Sequence, residues 1–506
     1  MARFDAIEVE RKYSPGESAD LPRLASIRGV DHVGEPGSDQ LDAVYFDTEG
    51  LALAGQRITL RRRTGGLDAG WHLKLPVTAE ERQEVVEPLG NDQESVPERL
   101  RQHVLVHTRG RALKPVARIK TLRSSTLLYG ADGAILAQFS DDRVEAQSLA
   151  APAEPQRWRE WEIELVEGHR KLLKDADARL AAAGVPLATL PSKLARALGS
   201  NYPGDPAPAP SPERQGPAAD VALSYIFRQI QALKTHDPGV RVDAPDAVHQ
   251  LRVAARRLRS ALATFRKLLD TPSTRFLRSE LQWLAGTVGE ARDIEVIRAR
   301  LNDMISAEPP EFLMGPVAQQ IEKHLDDIYR PARAAGLAAL DSGRYFRLLD
   351  SLDSFLADPP LTDAAGKEAL KTIGRLVSAE QERMEKAVRA VDSASDTGPQ
   401  DAALHEVRKC AKRLRYAAEA ASPIFGKKAT DLARAAEGIQ EILGDFHDSV
   451  VIRETLLKLA AESAAGGGSG FSYGRLHALE EQRGDQSRAR FNDVWETSKP
   501  QPLDWK

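Results

Sequence analysis

Over residues 1–200, apolar and polar positions alternate in short runs: AIEVERKY, ITLRRR, WHLKLP, VARIKTLR, AILAQFSDDRV and WREWEIELV. Each has period two and is bounded by Gly, Asp or Pro, the pattern of antiparallel strands. Only 171–183 and 192–198 carry helical spacing there. Beyond residue 217, runs rich in Ala, Leu and Arg place apolar residues three and four apart, which predicts an all-helical half. A Gly-rich break at 465–470 precedes a final helix over about 474–495. Between the halves, 201–216 (NYPGDPAPAPSPERQG) alternates Pro and Ala, cannot form a core and favours extended chain. The expected organisation is multidomain: a strand-rich α+β domain at 1–200, a linker at 201–216 and a helical domain at 217–497.

The helical half repeats itself. HQLRVAARRLRSAL begins at His249 and HEVRKCAKRLRYAA at His405, an offset of 156 residues. VGEARDIEVIR (288–298) matches LGDFHDSVVIR (443–453) at an offset of 155. Two matched blocks at nearly one offset predict a duplicated helical bundle.

Composition narrows the class. At ~150 residues per domain, 506 residues make several domains, and a 42% hydrophobic content excludes global disorder. One cysteine, Cys410, excludes a disulfide scaffold or a cysteine-rich zinc site and fits a reducing compartment. Lys and Arg number 70 against 74 Asp and Glu, a net charge of −4. Bulk basicity therefore cannot recruit a polyanion, and any anion site must be local. The N-terminus, MARFDAIEVERKY, is charged where a signal peptide needs an apolar core. No apolar run approaches the ~20 residues of a membrane span. A cytoplasmic protein with no membrane partner is the expectation; oligomeric state is not readable.

The strands carry charge on one face. Glu8, Glu10 and Lys12 share a side, as do Arg61 and Arg63, and Arg82 and Glu84. Lys74 sits between Leu73 and Leu75; Arg118, Lys120 and Arg123 lie on another strand; Glu160, Glu162 and Glu164 alternate with Trp161, Ile163 and Leu165. If the apolar faces pack outward against helices, the charged faces line an interior. Such an interior is expensive unless a polyanion and a metal complete it. Arg and Lys neutralise phosphates, and paired carboxylates hold Mg²⁺ or Mn²⁺. That combination suits attack of water on a terminal phosphorus.

Glu8-Val9-Glu10-Arg11-Lys12 fits the ExExK signature of the CYTH superfamily, the triphosphate tunnel metalloenzymes. The resemblance continues in order through Tyr45-Phe46-Asp47-Thr48, Leu60-Arg61-Arg62-Arg63, Lys74, Arg82-Gln83-Glu84, the Arg118–Arg123 strand, Asp141-Asp142-Arg143-Val144, Glu160–Glu164 and Ser192-Lys193. It implies an eight-stranded antiparallel tunnel. It assigns Glu8, Glu10, Glu162 and Glu164 to the metal, and Lys12, Arg61, Arg63, Lys74, Arg118, Lys120, Arg123 and Lys193 to the basic lining. Lys12, with Glu8 and Glu10, falls among the catalytic residues, to bind phosphate or position water. Lys120-Thr121-Leu122-Arg123 departs from the regular basic alternation of the family.

In the helical half, His249, Arg252, Arg256 and Arg259 fall on one helix face, opposite Leu251, Ala255, Leu258 and Leu262. His405, Arg408, Lys412 and Arg415 repeat the spacing. No acid interrupts His249–Arg259, so the face is not laced by i,i+4 pairs. Pseudo-symmetry brings the two like-charged stripes near each other, where a long polyanion relieves their repulsion. Aromatic platforms for bases are missing apart from Tyr416, which argues against nucleic acid. Asp293 and Asp448, four residues after Gly289 and Gly444, fit either a cap or a partner for a basic side chain.

This half resembles the CHAD domain, the conserved histidine α-helical domain, over roughly 217–497. The resemblance implies two similar helical bundles around a basic cleft that binds inorganic polyphosphate. Its motif residues here are His249, Arg252, Arg256, Arg259, His405, Arg408, Lys412 and Arg415. Together the resemblances imply a metal-dependent inorganic triphosphatase with an attached polyphosphate-binding module, in the cytoplasm or on polyphosphate granules. Two alternatives stand beside it. One is a non-enzymatic polyphosphate-binding or granule-associated protein. The other is a tunnel enzyme for another triphosphate, as an adenylate cyclase or a thiamine or nucleoside triphosphatase.

Overall fold

The computed structural model describes residues 5–78, 80–149, 154–393 and 397–503. The chain divides into two compact units, Met1–Ala207 and Pro208–Lys506, the division falling inside the Pro/Ala segment. That segment is tied down at both ends. Tyr202 packs on the apolar interior of the first unit. In the second, Arg214 Nε donates to Ile424 O at 2.8 Å.

The first unit contains β1 (Asp5–Tyr13), β2 (His32–Val33), β3 (Gly37–Asp47), β4 (Thr59–Thr64), β5 (Gly70–Pro76), β6 (Glu81–Glu87), β7 (Lys114–Tyr129), β8 (Ile135–Ser148) and β9 (Gln156–Leu165). Eight of them run β7-β3-β4-β5-β6-β1-β9-β8, and β8 pairs back to β7, closing an antiparallel barrel. The two-residue β2 only adds to β7. Closure leaves no open edge among the eight.

Period two then sorts each strand. Outward apolar residues form two clusters. Phe46, Leu60, Trp71, Leu73 and Val85 meet Leu100 and Val104 of α1 (Glu98–Thr108). Tyr13, Phe139, Trp161 and Ile163 meet Leu172, Leu173, Ala176 and Leu180 of α2 (Arg170–Ala182). Each fully buried side chain of this size contributes about 1.5–3 kcal/mol. Helix α1 was not among the expected helices. Its Val104-Leu105-Val106 run is rich in β-branched residues, and only tertiary packing of Leu100 and Val104 decides for a helix.

A third cluster lies inside the barrel. Leu194, Ala197 and Leu198 of α3 (Lys193–Leu198) pack against Ala43, Tyr45, Ile119, Val144 and Trp158. Ser192 caps α3 by accepting from Ala195 N at 3.1 Å, which fixes Lys193 as its first residue.

The second unit holds α4 (Ala218–Arg241), α5 (Ala247–Thr264), α6 (Thr271–Thr287), α7 (Gly289–Ala307), α8 (Val317–Leu340), α9 (Gly343–Ala357), α10 (Ala369–Asp392), α11 (Thr397–Phe425), α12 (Lys427–Ala465) and α13 (Phe471–Ser498). The duplication is visible: α4-α5-α6/α7-α8 corresponds to α10-α11-α12-α13. The first copy breaks at Val288, whereas the second runs 39 residues without interruption. The copies share a core of Ile294, Leu301, Ile321, Leu325, Ile452, Leu456, Tyr473 and Leu476. Helix α5 also packs against α11, which brings the two basic stripes together.

Candidate active site and basic cleft

The barrel encloses a cavity of about 260 Å³ lined mostly by charged side chains. Glu8, Glu10 and Lys12 enter from β1, Arg61 and Arg63 from β4, Lys74 from β5, and Arg82 and Glu84 from β6. Arg123, Glu162, Glu164 and Lys193 complete the wall with Tyr45. Strand register places opposite charges side by side: Glu8 faces Arg82, Lys12 faces Glu162, Lys74 faces Glu84 and Arg123 faces Asp142.

The cations fall into two groups. In the first, every cation is neutralised by carboxylates. Lys193 Nζ stands 2.9, 2.8 and 2.6 Å from Asp142, Glu160 and Glu162. Arg123 forks onto Asp142 at 2.7 and 2.6 Å and reaches Glu162 at 2.6 Å. Lys12 bridges Glu10, at 2.8 Å, and Glu162. Lys74 lies 2.5 Å from Glu8 and 3.9 Å from Glu84. Burial raises the pKa of Glu162, but Lys12, Lys193 and Arg123 outweigh it and hold it well below the usual range.

In the second group no cation has a buried carboxylate within ion-pair distance among the described residues, although Glu84 lies near Arg61 and Arg63. Arg61 donates to the Tyr45 hydroxyl at 3.3 Å, and its Nε is buried with no partner among the described residues. Arg82 donates to Pro191 O at 2.5 Å. Arg63 meets Asp68, whose side chain is 63% exposed. Burial, with Arg61 beside it, lowers Arg63 to about 10. These guanidiniums present their donors to the lumen, the condition for gripping an anion.

The carboxylates are crowded at one side. Burial pushes Glu8 up to about 8 against the pull of Lys74, with Glu84 and Glu164 adding to the rise. Burial also raises Glu164. Glu10 is pushed up by burial but held at about 2 by Lys12 and Lys74. His72 fixes Glu84 through Nδ1 at 2.9 Å. Among the described residues no three such groups already converge as metal ligands, because Lys12 and Lys74 stand between the acids.

In the second unit, Arg256 of α5 lies near Arg408 of α11, and Lys412 of α11 near both Arg256 and Arg252; His249 and His405 lie on the same two helices. Arg252 pairs with Asp293 of α7 at 2.8 Å and donates to Gly289 O at 2.9 Å. The Nε atoms of Arg252, Arg256 and Arg408 are buried with no partner among the described residues. Burial, then Arg408, Arg256 and Arg252, drops Lys412 to about 7. Burial and the ring of His447, 4.7 Å away, bring His405 to about 4. Burial lowers His249 as well.

A CYTH domain matches residues 6–197 and a CHAD domain residues 224–457. A relative from Mycobacterium tuberculosis, described only as an uncharacterized protein, is 40% identical over 499 residues, 95% of this chain and 94% of its own. The chain belongs to the CYTH–CHAD family. Among solved structures, PptA from Streptomyces chartreusis aligns with a TM-score of 0.47 and 24% identity, over 56% of this chain and 100% of that one. The CHAD domain from the plant Ricinus communis gives 0.46 and 24%, over 58% and 97%.

As a CYTH–CHAD protein the chain is a triphosphate-tunnel protein of a family that acts on phosphoanhydrides with divalent metal ions. Among the described residues no helix is long and apolar enough to cross a membrane. Two residues assigned to the lining are corrected. Arg118 and Lys120 face outward, since Ile119, Thr121 and Arg123 take the lumen. Period two forbids Arg118 and Arg123 from sharing a face. Arg118 pairs with Asp42 at 2.6 Å outside, and Lys120 lines an open hollow of about 750 Å³. In the CHAD stripes, Arg415 is held by Glu419 and Glu437 at 2.9 and 2.8 Å, and exposed Arg259 neighbours Arg278 and Arg413. The basic cluster shared by α5 and α11 therefore holds Arg252, Arg256, Arg408 and Lys412. Residues without an assigned role also line the tunnel, namely Tyr45, Asp68, Arg82 and Glu84, or pair with its lining, namely His72, Asp142 and Glu160. Alternation with Lys74 and Arg123's partner strand was the signal for His72 and Asp142; Asp68 lies in a turn and left none.

Proposed function

We propose that the CYTH tunnel hydrolyses inorganic triphosphate to pyrophosphate and phosphate with Mg²⁺ or Mn²⁺, and that the CHAD cleft binds longer polyphosphate chains. The observation that carries this reading is the set of guanidiniums with no direct buried carboxylate partner among the described residues, Arg61, Arg63 and Arg82, in a lumen of about 260 Å³. That volume is below the ~300–1,000 Å³ of pockets for drug-sized ligands. The one aromatic ring in the lining, Tyr45, is tied to Arg61 rather than set as a stacking platform. These features favour a bare phosphate chain over a nucleoside.

The donor set suits the metal. Glu8, Glu10, Glu162 and Glu164 offer hard oxygens, with Glu84 beside them, and a divalent cation relieves the burial and mutual repulsion that raise Glu8 and Glu164. When bound, the cation supplies Lewis acidity to the phosphate oxygens. Arg61, Arg63 and Arg82 bind and orient the chain. Lys12 holds Glu10 in place. Glu162, expected among the metal carboxylates, stands on β9 beside Glu10 across Lys12 and is neutralised by Lys12, Arg123 and Lys193.

Phosphate release by the full chain from tripolyphosphate, long polyphosphate, ATP and thiamine triphosphate, with Mg²⁺ or Mn²⁺, tests the reading. Tripolyphosphate is expected to be turned over fastest. Faster release from ATP or thiamine triphosphate assigns another tunnel reaction, and no release from any of them assigns a non-enzymatic binder.

A further inference from the structure

Helices disfavour glycine, yet both copies of the repeated block carry a buried one at the matched position, Gly289 as the first residue of α7 and Gly444 inside α12. Each lies under the first arginine of its stripe. A Cβ built on Gly289 falls 2.6 Å from Arg252 Cζ and Nε and 2.9 Å from Nη2. A Cβ on Gly444 falls 3.3 Å from Arg408 Nη2. The other helical glycine of α12, Gly438, faces open space. Beyond each glycine stands an aspartate one turn on. Asp293 accepts from Arg252 at 2.8 and 3.3 Å, and Asp448 neighbours Arg408. The arrangement thus occurs twice, at the offset of the repeat.

We propose that Gly289 and Gly444 are seats for the guanidinium planes of Arg252 and Arg408, which Asp293 and Asp448 orient so that both forks enter the cleft as a fixed pair. This rests on the reading of the cleft as a polyphosphate site. A guanidinium laid flat on helix backbone loses its freedom before the ligand arrives, and its remaining N–H groups point at phosphate oxygens. The glycines are positioning residues, and a lysine cannot use the seat.

The test measures long-chain polyphosphate affinity of the full chain against salt concentration, with a chelator present to stop turnover in the tunnel. Gly438→Ala is expected to bind like wild type. Gly289→Ala is expected to lose about tenfold in affinity, and its log–log salt slope to fall by ~0.7–0.9, one phosphate contact. Gly444→Ala, with the looser contact, shows a smaller loss. The melting temperature of Gly444→Ala, inside α12 with the looser contact, stays equal or rises, because alanine favours helix; a glycine needed only for folding gives the opposite. Arg252→Lys keeps the charge and the glycine yet reproduces the loss. Adding Gly289→Ala to Arg252→Ala changes nothing further. Wild-type affinity and slope in Gly289→Ala and Arg252→Lys overturn the seats alone. A wild-type chain that ignores polyphosphate at every salt concentration overturns the cleft reading and the seats with it.

Discussion

Replacing Lys193 by Met, and separately Arg61 by Met, separates cations that hold the tunnel together from those that wait for substrate. Lys193 is the shared partner of Asp142, Glu160 and Glu162, whose side chains are only 0%, 5% and 10% exposed. Removing one partner from such a buried network costs ~3–5 kcal/mol, since the acids keep their desolvation and lose their counter-charge. At about 2–4 °C per kcal/mol for a unit of this size, the tunnel transition drops by roughly 6–20 °C. The sign with pH follows from the carboxylates. Asp142 and Glu162 are held below their unfolded values of 3.8 and 4.5, so their contribution is complete above those values and fades as pH falls. The gap between wild type and Lys193→Met is therefore full at about pH 7 and shrinks towards about pH 3. Arg61→Met removes a guanidinium with no direct carboxylate partner among the described residues, close to Arg63 and Glu84, and shifts the transition by about 1 kcal/mol. It removes a charge-assisted phosphate contact of ~1.5–3 kcal/mol, which weakens tripolyphosphate binding by at least about tenfold. Calorimetric unfolding of the full chain and titration with tripolyphosphate under a chelator read both quantities. Equal stability losses in the two variants, or wild-type stability in Lys193→Met, refute the division.

Glu8→Gln and Glu10→Gln are expected to abolish metal-dependent turnover while the fold persists; wild-type rates at low metal concentration remove these residues from the metal site. Arg118→Ala and Lys120→Ala, on the outside of the barrel, are expected to leave tripolyphosphate kinetics unchanged, whereas Arg63→Ala is damaging; the reverse order in steady-state assays means the register of β7 is wrong. Lys412 is lowered from 10.5 to about 7 in the free protein, and a bound polyanion restores its charge, so polyphosphate affinity falls as pH rises above about 7. The same shift makes the free protein gain stability between about pH 7 and 10.5, where only the unfolded chain still holds the proton. Lys412→Met flattens both profiles, and a wild-type profile already flat contradicts the burial of that amine.

The sequence by itself determined the sides of the strands and the faces of the helices. Period two put Glu8, Glu10, Lys12, Arg61, Arg63 and Lys74 on one surface, and the 3.6-residue period put His249, Arg252 and Arg256 on another, because side-chain direction is a local property of the backbone. It also set the duplication at 156 and 155 residues. Where the local period was broken the reading failed: Arg118 and Lys120 were drawn inward by their proximity to Arg123, although five residues of strand reverse the face. Tertiary structure alone decided which charges meet. Lys193 neutralises Asp142, Glu160 and Glu162 only because Ser192 starts α3 inside the barrel. Arg415 leaves the cleft because Glu437 of α12 is within reach, and Asp293 is a partner for Arg252, not a cap, because α7 crosses α5 at Gly289. Periodicity states where a side chain points; what stands opposite it depends on strand closure and helix packing across more than a hundred residues of chain, which no local pattern encodes.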